Sequence, residues 1–530
     1  METFAPKYNE DKIKELEILL SKEVLSLKEN QNFSTDELSI RKKELVQSLG
    51  DLTFDASRHY IPTKSIGIVK KILAEVKANE FLEAIWSGKI VNNTENRRAM
   101  HPALRAPKDS FFPSEISNEV HDQRKKMLKM SESIRNGELR SSTDEKYSSI
   151  LAIGIGGSDL GPRMTVKALK PFSDNLEIRF ISNIDPGELI NQIHDLKPSK
   201  TLVIVSSKTF TTLETLTNAD AVFNWMMESI GEDGAKNQRI AITESITNAK
   251  NYGFKNEQIL NFCDWVGGMT SIWSSVGFPL AIAIGEKKFN DFLSGGYSID
   301  KHMKQKMINS IPSLMAILGY IQRNYIGSSS QCIVPYDVNL SLLPSYLQQL
   351  EMESNGKNIS KSGDFINSVS VPVIWGQVGT DSQHSFFQML HQGSDKIPID
   401  ILVARSSSYN DKNIADRHRM LVANALGQSE ALFRGKSNKI KFKNFAGKRA
   451  VSLISYNKLT PYRLGSLIAI YEYKVITQSA LWRINPFDQF GVELGKEFAN
   501  ALLKEDNKIS DIDPESVSYT HLTLPTNREV

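Results

Sequence analysis

The sequence predicts an α/β protein made of two doubly wound parallel-sheet domains with a helical N-terminal arm. Three observations lead to this class. From about residue 149 short apolar runs alternate with longer amphipathic ones, the texture of βα units. The runs come in two series, separated by a helical stretch from about Lys287 to Ile326. The chain has 530 residues, 40% of them apolar and 24% charged, enough to bury more than one core and too apolar for a disordered chain.

In the arm, residues 1–100, apolar Ile13, Leu16, Leu20, Val24 and Leu27 recur at helical spacing, and so do Ile68, Ile72, Val76, Phe81 and Ile85. The first hundred residues therefore read as mostly helical. A loop bearing Pro102, Pro107 and Pro113 opens the first α/β domain, residues 101–285, with strands expected at Ser149 to Ile155, Glu177 to Ile181, Thr201 to Val205 and Arg239 to Thr243. The second domain, residues 286–505, has strands expected at Cys332 to Pro335, Val371 to Trp375, Ile399 to Ala404 and Ala450 to Ile454. Element order alone makes the two halves a pair of similar domains. A tail, residues 506–530, completes the chain, and from about Ser516 it reads as a truncated, frameshifted or appended end.

Charge narrows the partners. Lys and Arg number 64 against 61 Asp and Glu, a net charge of +3, so nothing points to nucleic acid and any acidic ligand must be recognised locally. Two cysteines, Cys263 and Cys332, are too few for a disulfide scaffold or a zinc site and fit a reducing compartment. The longest apolar stretch, around Gly277 to Ile284, falls far short of the roughly 20 residues that cross a bilayer. The expectation is a cytoplasmic protein with no membrane partner.

Two segments share a phosphate-binding logic, a strand running into small and hydroxyl residues and then a helix. In the first, Gly154, Gly156 and Gly157 permit close backbone approach, with Ser158 expected as the N-cap and Asp159 opening the helix. In the second, Ser206, Ser207, Lys208, Thr209, Thr211 and Thr212 precede a helix from about Leu213. Hydroxyls and N–H groups at a helix N-terminus hold a phosphate dianion. Asp159 stands where a dinucleotide fingerprint needs its third glycine, and Pro162 and Arg163 stand where a nucleotide phosphate loop needs Lys and Ser or Thr. A phosphate on a small molecule fits better than a nucleotide.

Acid and base candidates lie in the second half. Asn355-Gly356 is a helix-stop signal that places Glu353 at a helix end. His384 follows a glycine-rich strand end, where α/β folds bind ligands, and His391 lies seven residues further on. Near the C-terminus, Phe487 to Lys496 forms an unusual run containing Gln489 and Glu493.

Together these segments resemble the glucose-6-phosphate isomerase family from about Asn92 to Ala499. The likeness rests on Gly156-Gly157-Ser158-Asp159, Ser207 to Thr215, Trp265-Val266-Gly267-Gly268, Gln348 to Lys357 and Asn485 to Lys496, in the family's order. The resemblance implies sugar-isomerase domains, a homodimer, and cofactor-free, metal-free interconversion of glucose 6-phosphate and fructose 6-phosphate in glycolysis and gluconeogenesis. It implies that Ser158, Ser207, Thr209 and Thr212 bind phosphate, with Gly157 and Lys208 in the same cradle. Glu353 matches the base that moves a proton between C2 and C1 through a cis-enediolate. His384 matches the ring-opening histidine, contributed across the dimer interface, Lys496 a lysine assisting ring opening, and Gln349 and Gln489 substrate-contacting glutamines.

One departure bears on catalysis. After Trp265-Val266-Gly267-Gly268 the family carries an arginine that stabilises the intermediate, and this chain has Met269. The expectation is reduced turnover, another cation such as Lys208 or Lys496 in its place, or a diverged site. Gln377-Val378 and Asp381-Ser382, beside His384, also differ from the family's Glu-Pro and Asn-Gly and bear on substrate preference. Two alternatives follow, an isomerase of both glucose and mannose phosphates and a phosphosugar-binding protein with weakened catalysis.

Overall fold

The computed structural model describes residues 2–26, 35–174, 176–409 and 415–504. It divides into two units, Met1–Pro486 and Phe487–Val530.

The helical periodicity of the arm produces the helices Glu10–Leu25, Thr63–Glu75 and Ala78–Ser87. Between them lies a feature the periodicity hid, an antiparallel hairpin of β1 (Val46–Leu49) and β2 (Leu52–Arg58). Leu52, Phe54 and Ala56 alternate inward along β2, the period of a strand with one face on the core.

In the first α/β half, β3 (Ser149–Ile153), β4 (Glu177–Ile181), β5 (Thr201–Ser206), β6 (Arg239–Thr243) and the short β7 (Ile259–Asn261) form an all-parallel sheet in the order β4-β3-β5-β6-β7. The second half adds β8 (Ser330–Pro335), β9 (Val373–Gly376), β10 (Ile399–Ala404) and β11 (Val451–Tyr456), in the order β1-β2-β11-β10-β8-β9. There β2 runs antiparallel to β11, so a mixed edge closes an otherwise parallel sheet. Every residue of β3, β5, β6 and β10 is buried, as strands covered on both faces require.

The order β4-β3-β5-β6 in one half matches β9-β8-β10-β11 in the other. In each, the chain reverses its direction of travel across the sheet between the first and third strands, and ligands of open α/β sheets bind at the carboxyl ends there. In the first sheet this point lies between β3 and β5, the two strands that carry the phosphate-type loops.

Two long helices, Phe278–Lys306 and Pro461–Trp482, cross at backbone contact, since a Cβ on Gly295 would stand 1.8 Å from the carbonyl oxygen of Tyr462. Pro461–Trp482 carries buried charge. Its Glu472 accepts from Arg105 and from Trp273 Nε1 at 2.6 Å, while Arg105 grips Asp300 at 2.7 and 2.9 Å. Among the described residues no helix is long and apolar enough to cross a membrane.

Candidate active site

The loop after β3 turns at Gly156, whose φ of 58° suits glycine, and the helix Gly157–Ala168 begins at once. Gly156 is therefore the N-cap and Ser158 sits inside the first turn, correcting the expected cap at Ser158. Ser158 is half-buried at the helix N-terminus, where backbone N–H groups and the helix dipole favour an anion. A Cβ on Gly157 would stand 2.0 Å from the Gly268 oxygen, and Ser271 Oγ donates to the Gly157 carbonyl at 3.1 Å. The Gly268–Trp273 turn thus packs directly on this helix start.

The loop after β5 is held by its own side chains. Phe210 adopts φ 54° and buries its ring against Tyr252 and Phe254, pinning the loop to the core beneath it. Ser207 Oγ accepts from the Phe210 N–H at 3.1 Å and lies 3.1 Å from Thr212 Oγ1, while Thr209 and Thr211 pair their hydroxyls at 2.7 Å. Thr212 is the N-cap of Leu213–Asn237 without a side-chain capping bond, so its hydroxyl faces its neighbours. Lys208 Nζ donates to the carbonyls of Asp264 at 2.7 Å and Val266 at 3.0 Å, joining this loop to the Trp265-Val266-Gly267-Gly268 segment. Burial lowers the Lys208 pKa, and the charge of Arg97 lowers it further.

Glu353 belongs to the β8-to-β9 crossover. The helix Leu343–Gln348 continues into a wider π-type turn, Gln349–Glu353, and ends as the Asn355-Gly356 signal predicts. Anchors flank the glutamate on both sides. Two residues before it, Glu351 is fully buried against Lys474; two residues after it, Asn355 Nδ2 donates to the Val475 carbonyl at 3.0 Å. Lys357 Nζ donates to Ser354 O at 2.9 Å and to Asn485 O.

This crossover meets the cradle. A Cβ on Gly156 would lie 3.3 Å from Gln349 Nε2, and Tyr346 Oη donates to the Met269 carbonyl at 3.3 Å. Gln349 Oε1 is buried without a hydrogen-bond partner among the described residues. Gly156, Gly157, Gly268, Met269 and Gln349 thus come together at one place. Tyr346 is a part of it that sequence reading missed, because its partner is a backbone carbonyl 77 positions away. Met269 is buried, and its sulfur lies 3.3 Å from where a Cβ on Gly267 would stand.

His384 ends a short turn, Asp381–His384, after β9, and is exposed on this chain. His391 instead bonds Gln428 Oε1 at 2.9 Å and serves the fold. Gln489 and Lys496 belong to the C-terminal unit, Lys496 exposed on the helix Glu493–Lys504.

The phosphoglucose isomerase family model matches residues 55–520. The chain belongs to that family. The match begins inside β2, well before Asn92, so the end of the overlooked hairpin strand falls within the family's extent. Glucose-6-phosphate isomerases of Brucella anthropi and Methylocella silvestris are 38% and 39% identical to the chain, covering 86% and 85% of it and 87% and 86% of their own lengths. A crystal structure of a glucose-6-phosphate isomerase from Chlamydia trachomatis superposes with a TM-score of 0.84 at 30% identity, covering 92% of this chain and 95% of that one. A Thermus thermophilus structure described as a hypothetical protein shares the fold, with a TM-score of 0.64 at 21% identity, over 83% of this chain and 97% of that one.

The Gln349–Glu353 turn carries two carboxylates of different character. Glu351 is neutralised by a buried ammonium and is structural, whereas Glu353 is half-buried at the helix end. Asp159, beside Ser158, is pushed up to about 6 by burial and is held by Arg163 at 2.9 Å.

Proposed function

We propose that the chain is a glucose-6-phosphate isomerase that interconverts glucose 6-phosphate and fructose 6-phosphate through a cis-enediolate, in glycolysis and gluconeogenesis, in the cytoplasm. The phosphate docks on Ser158, Ser207, Thr209 and Thr212, with Gly157 and Lys208 completing the cradle. Gln349 and Gln489 contact the sugar. His384, supplied by the second subunit of a homodimer, opens the ring with help from Lys496. Glu353 then takes the C2 proton and returns it to C1, a general-base step that contributes about 10²–10⁴-fold. No cofactor enters the scheme, because proton and electron pair both stay on the sugar.

The observation that carries this reading is the approach of Gln349 to Gly156, 3.3 Å from Nε2 to the Cβ position. It sets the Glu353 turn beside the phosphate cradle, so one small phosphosugar spans both. The test is fructose 6-phosphate conversion by purified protein against Glu353→Gln. A wild type no faster than that variant overturns the isomerase reading. The buried, uncharged Met269 then favours a phosphosugar-binding protein with weakened catalysis. Glucose 6-phosphate and mannose 6-phosphate assayed side by side separate a dedicated from a bifunctional isomerase.

A further inference from the structure

An enediolate carries its negative charge on the oxygens of C1 and C2, so the site needs a cation there as well as at the phosphate. Met269 supplies none. The nearby lysines are already committed, Lys208 to two carbonyls, Lys357 to Ser354 O and Asn485 O, and Lys474 to Glu351.

A small loop, residues 92–97, is tied to the segments that carry Lys208 and Lys357. Asn92 and Arg97 exchange backbone hydrogen bonds at 3.0 and 3.1 Å, closing the loop on itself. Asn485 Nδ2 donates to Asn92 Oδ1 at 2.8 Å and to Thr94 Oγ1 at 2.9 Å. The carbonyl of the same Asn485 receives Lys357 Nζ, at the end of the Glu353 turn. From the other end of the loop, Arg97 and Glu95 are close enough for their charges to act on Lys208. The loop therefore bridges the base and the cradle. The Arg97 guanidinium is 39% exposed and lies 3.9 Å from Glu95, too far for a hydrogen bond, so it is held loosely and can turn to a ligand.

We propose that Arg97, carried by the 92–97 loop between the Lys208 cradle and the Glu353 turn, contacts the C1 and C2 oxygens of the bound sugar and supplies the positive charge on the enediolate. The proposal rests on the isomerase reading. Arg97→Gln then lowers kcat by about 10²-fold, the scale for losing one such contact, and changes KM much less. Arg97→Lys, which keeps the charge, recovers part of that loss. Met269→Arg raises the kcat of Arg97→Gln by about tenfold or more, because it restores a cation to the site.

Binding provides a readout independent of turnover. A phosphorylated sugar hydroxamate, which mimics the planar enediolate, loses affinity for Arg97→Gln by about the factor lost from kcat, while inorganic phosphate binds as before. Equal loss for both probes overturns the proposal, because Arg97 would then serve the phosphate or the fold. An active wild type with Arg97→Gln unchanged in kcat and hydroxamate affinity overturns the role of Arg97 and leaves the isomerase reading intact. A wild type no faster than Glu353→Gln overturns both.

Discussion

Lys474 Nζ lies 2.6 and 2.7 Å from the two carboxylate oxygens of Glu351, both side chains fully buried, two residues before Glu353. Lys474 also donates to Gln331 Oε1 at 3.1 Å, and Gln331 in turn donates to Asp400 at 2.9 Å, so the ammonium ties the crossover that carries Glu353 to the second sheet. Removing one partner leaves the other charge buried and uncompensated, which costs about 3–5 kcal/mol. Lys474→Met is therefore expected to lower unfolding free energy by that amount. Glu353→Gln is expected to abolish turnover without moving the unfolding midpoint. Urea unfolding of both variants checks the assignment, and a Glu353→Gln protein as unstable as Lys474→Met would make Glu353 a structural residue.

Much of the fold was legible because the strands beside the site are buried on both faces. Continuous apolar runs such as Thr201 to Val205 announce themselves without help from partners. The β1–β2 hairpin did not, since its alternation of Leu52, Phe54 and Ala56 acquires meaning only when β11 pairs with β2. β7 is only three residues long, shorter than any periodicity can register. In the site, hydroxyl-rich strand ends were readable as types of residue. Which group caps the helix was not, because a positive φ at Gly156 moved the cap two positions upstream of Ser158. Nor does spacing tell Glu351 from Glu353. That distinction is made by Lys474, 123 positions away.

The Gly156 turn gives a second test. Its φ of 58° and ψ of −124° are costly for any residue with a Cβ, at about 1–3 kcal/mol, and an alanine methyl would also stand 3.3 Å from Gln349 Nε2. Gly156→Ala is expected to raise KM for fructose 6-phosphate by at least about tenfold, because both the phosphate-facing N–H groups and Gln349 must shift. Steady-state kinetics decide it. A variant with wild-type KM and an altered unfolding midpoint would confine Gly156 to a backbone role.

Hydroxyl pairing in the cradle makes a third prediction. Thr212 Oγ1 lies 3.1 Å from Ser207 Oγ and caps no helix N–H, so its hydroxyl is available to a ligand. Thr212→Val keeps the shape and removes one hydrogen bond to a charged group, worth about 1.5–3 kcal/mol. The expected result is roughly tenfold or greater weakening of inorganic phosphate as a competitive inhibitor, with the unfolding midpoint little changed. Unaltered inhibition would remove Thr212 from the phosphate site.

Buried histidines shape the response to acid. His59 is pushed down to about 3, first by burial and then by the charge of Arg41, and His101 is driven well below its ordinary value by burial and Arg105. His59 Nε2 lies 2.9 Å from Ser452 Oγ, and Nδ1 is buried without a partner among the described residues, a setting that holds a neutral ring. In the unfolded chain each ring takes up its proton near pH 6.5. The folded chain refuses it until His59 reaches about pH 3. Between those values the unfolded state binds more protons, so each histidine's contribution is whole above about pH 6.5 and declines as pH falls. Asp159 acts in the opposite sense, since a carboxyl raised to about 6 is relieved of its buried charge as pH drops. Replacing His59 with Gln removes one of these proton uptakes. Between about pH 6 and pH 4 the slope of unfolding free energy with pH should therefore be shallower than wild type by about 1.4 kcal/mol per pH unit. Urea denaturation at half-unit pH steps measures both slopes, and identical slopes would mean that His59 is already protonated in the folded protein.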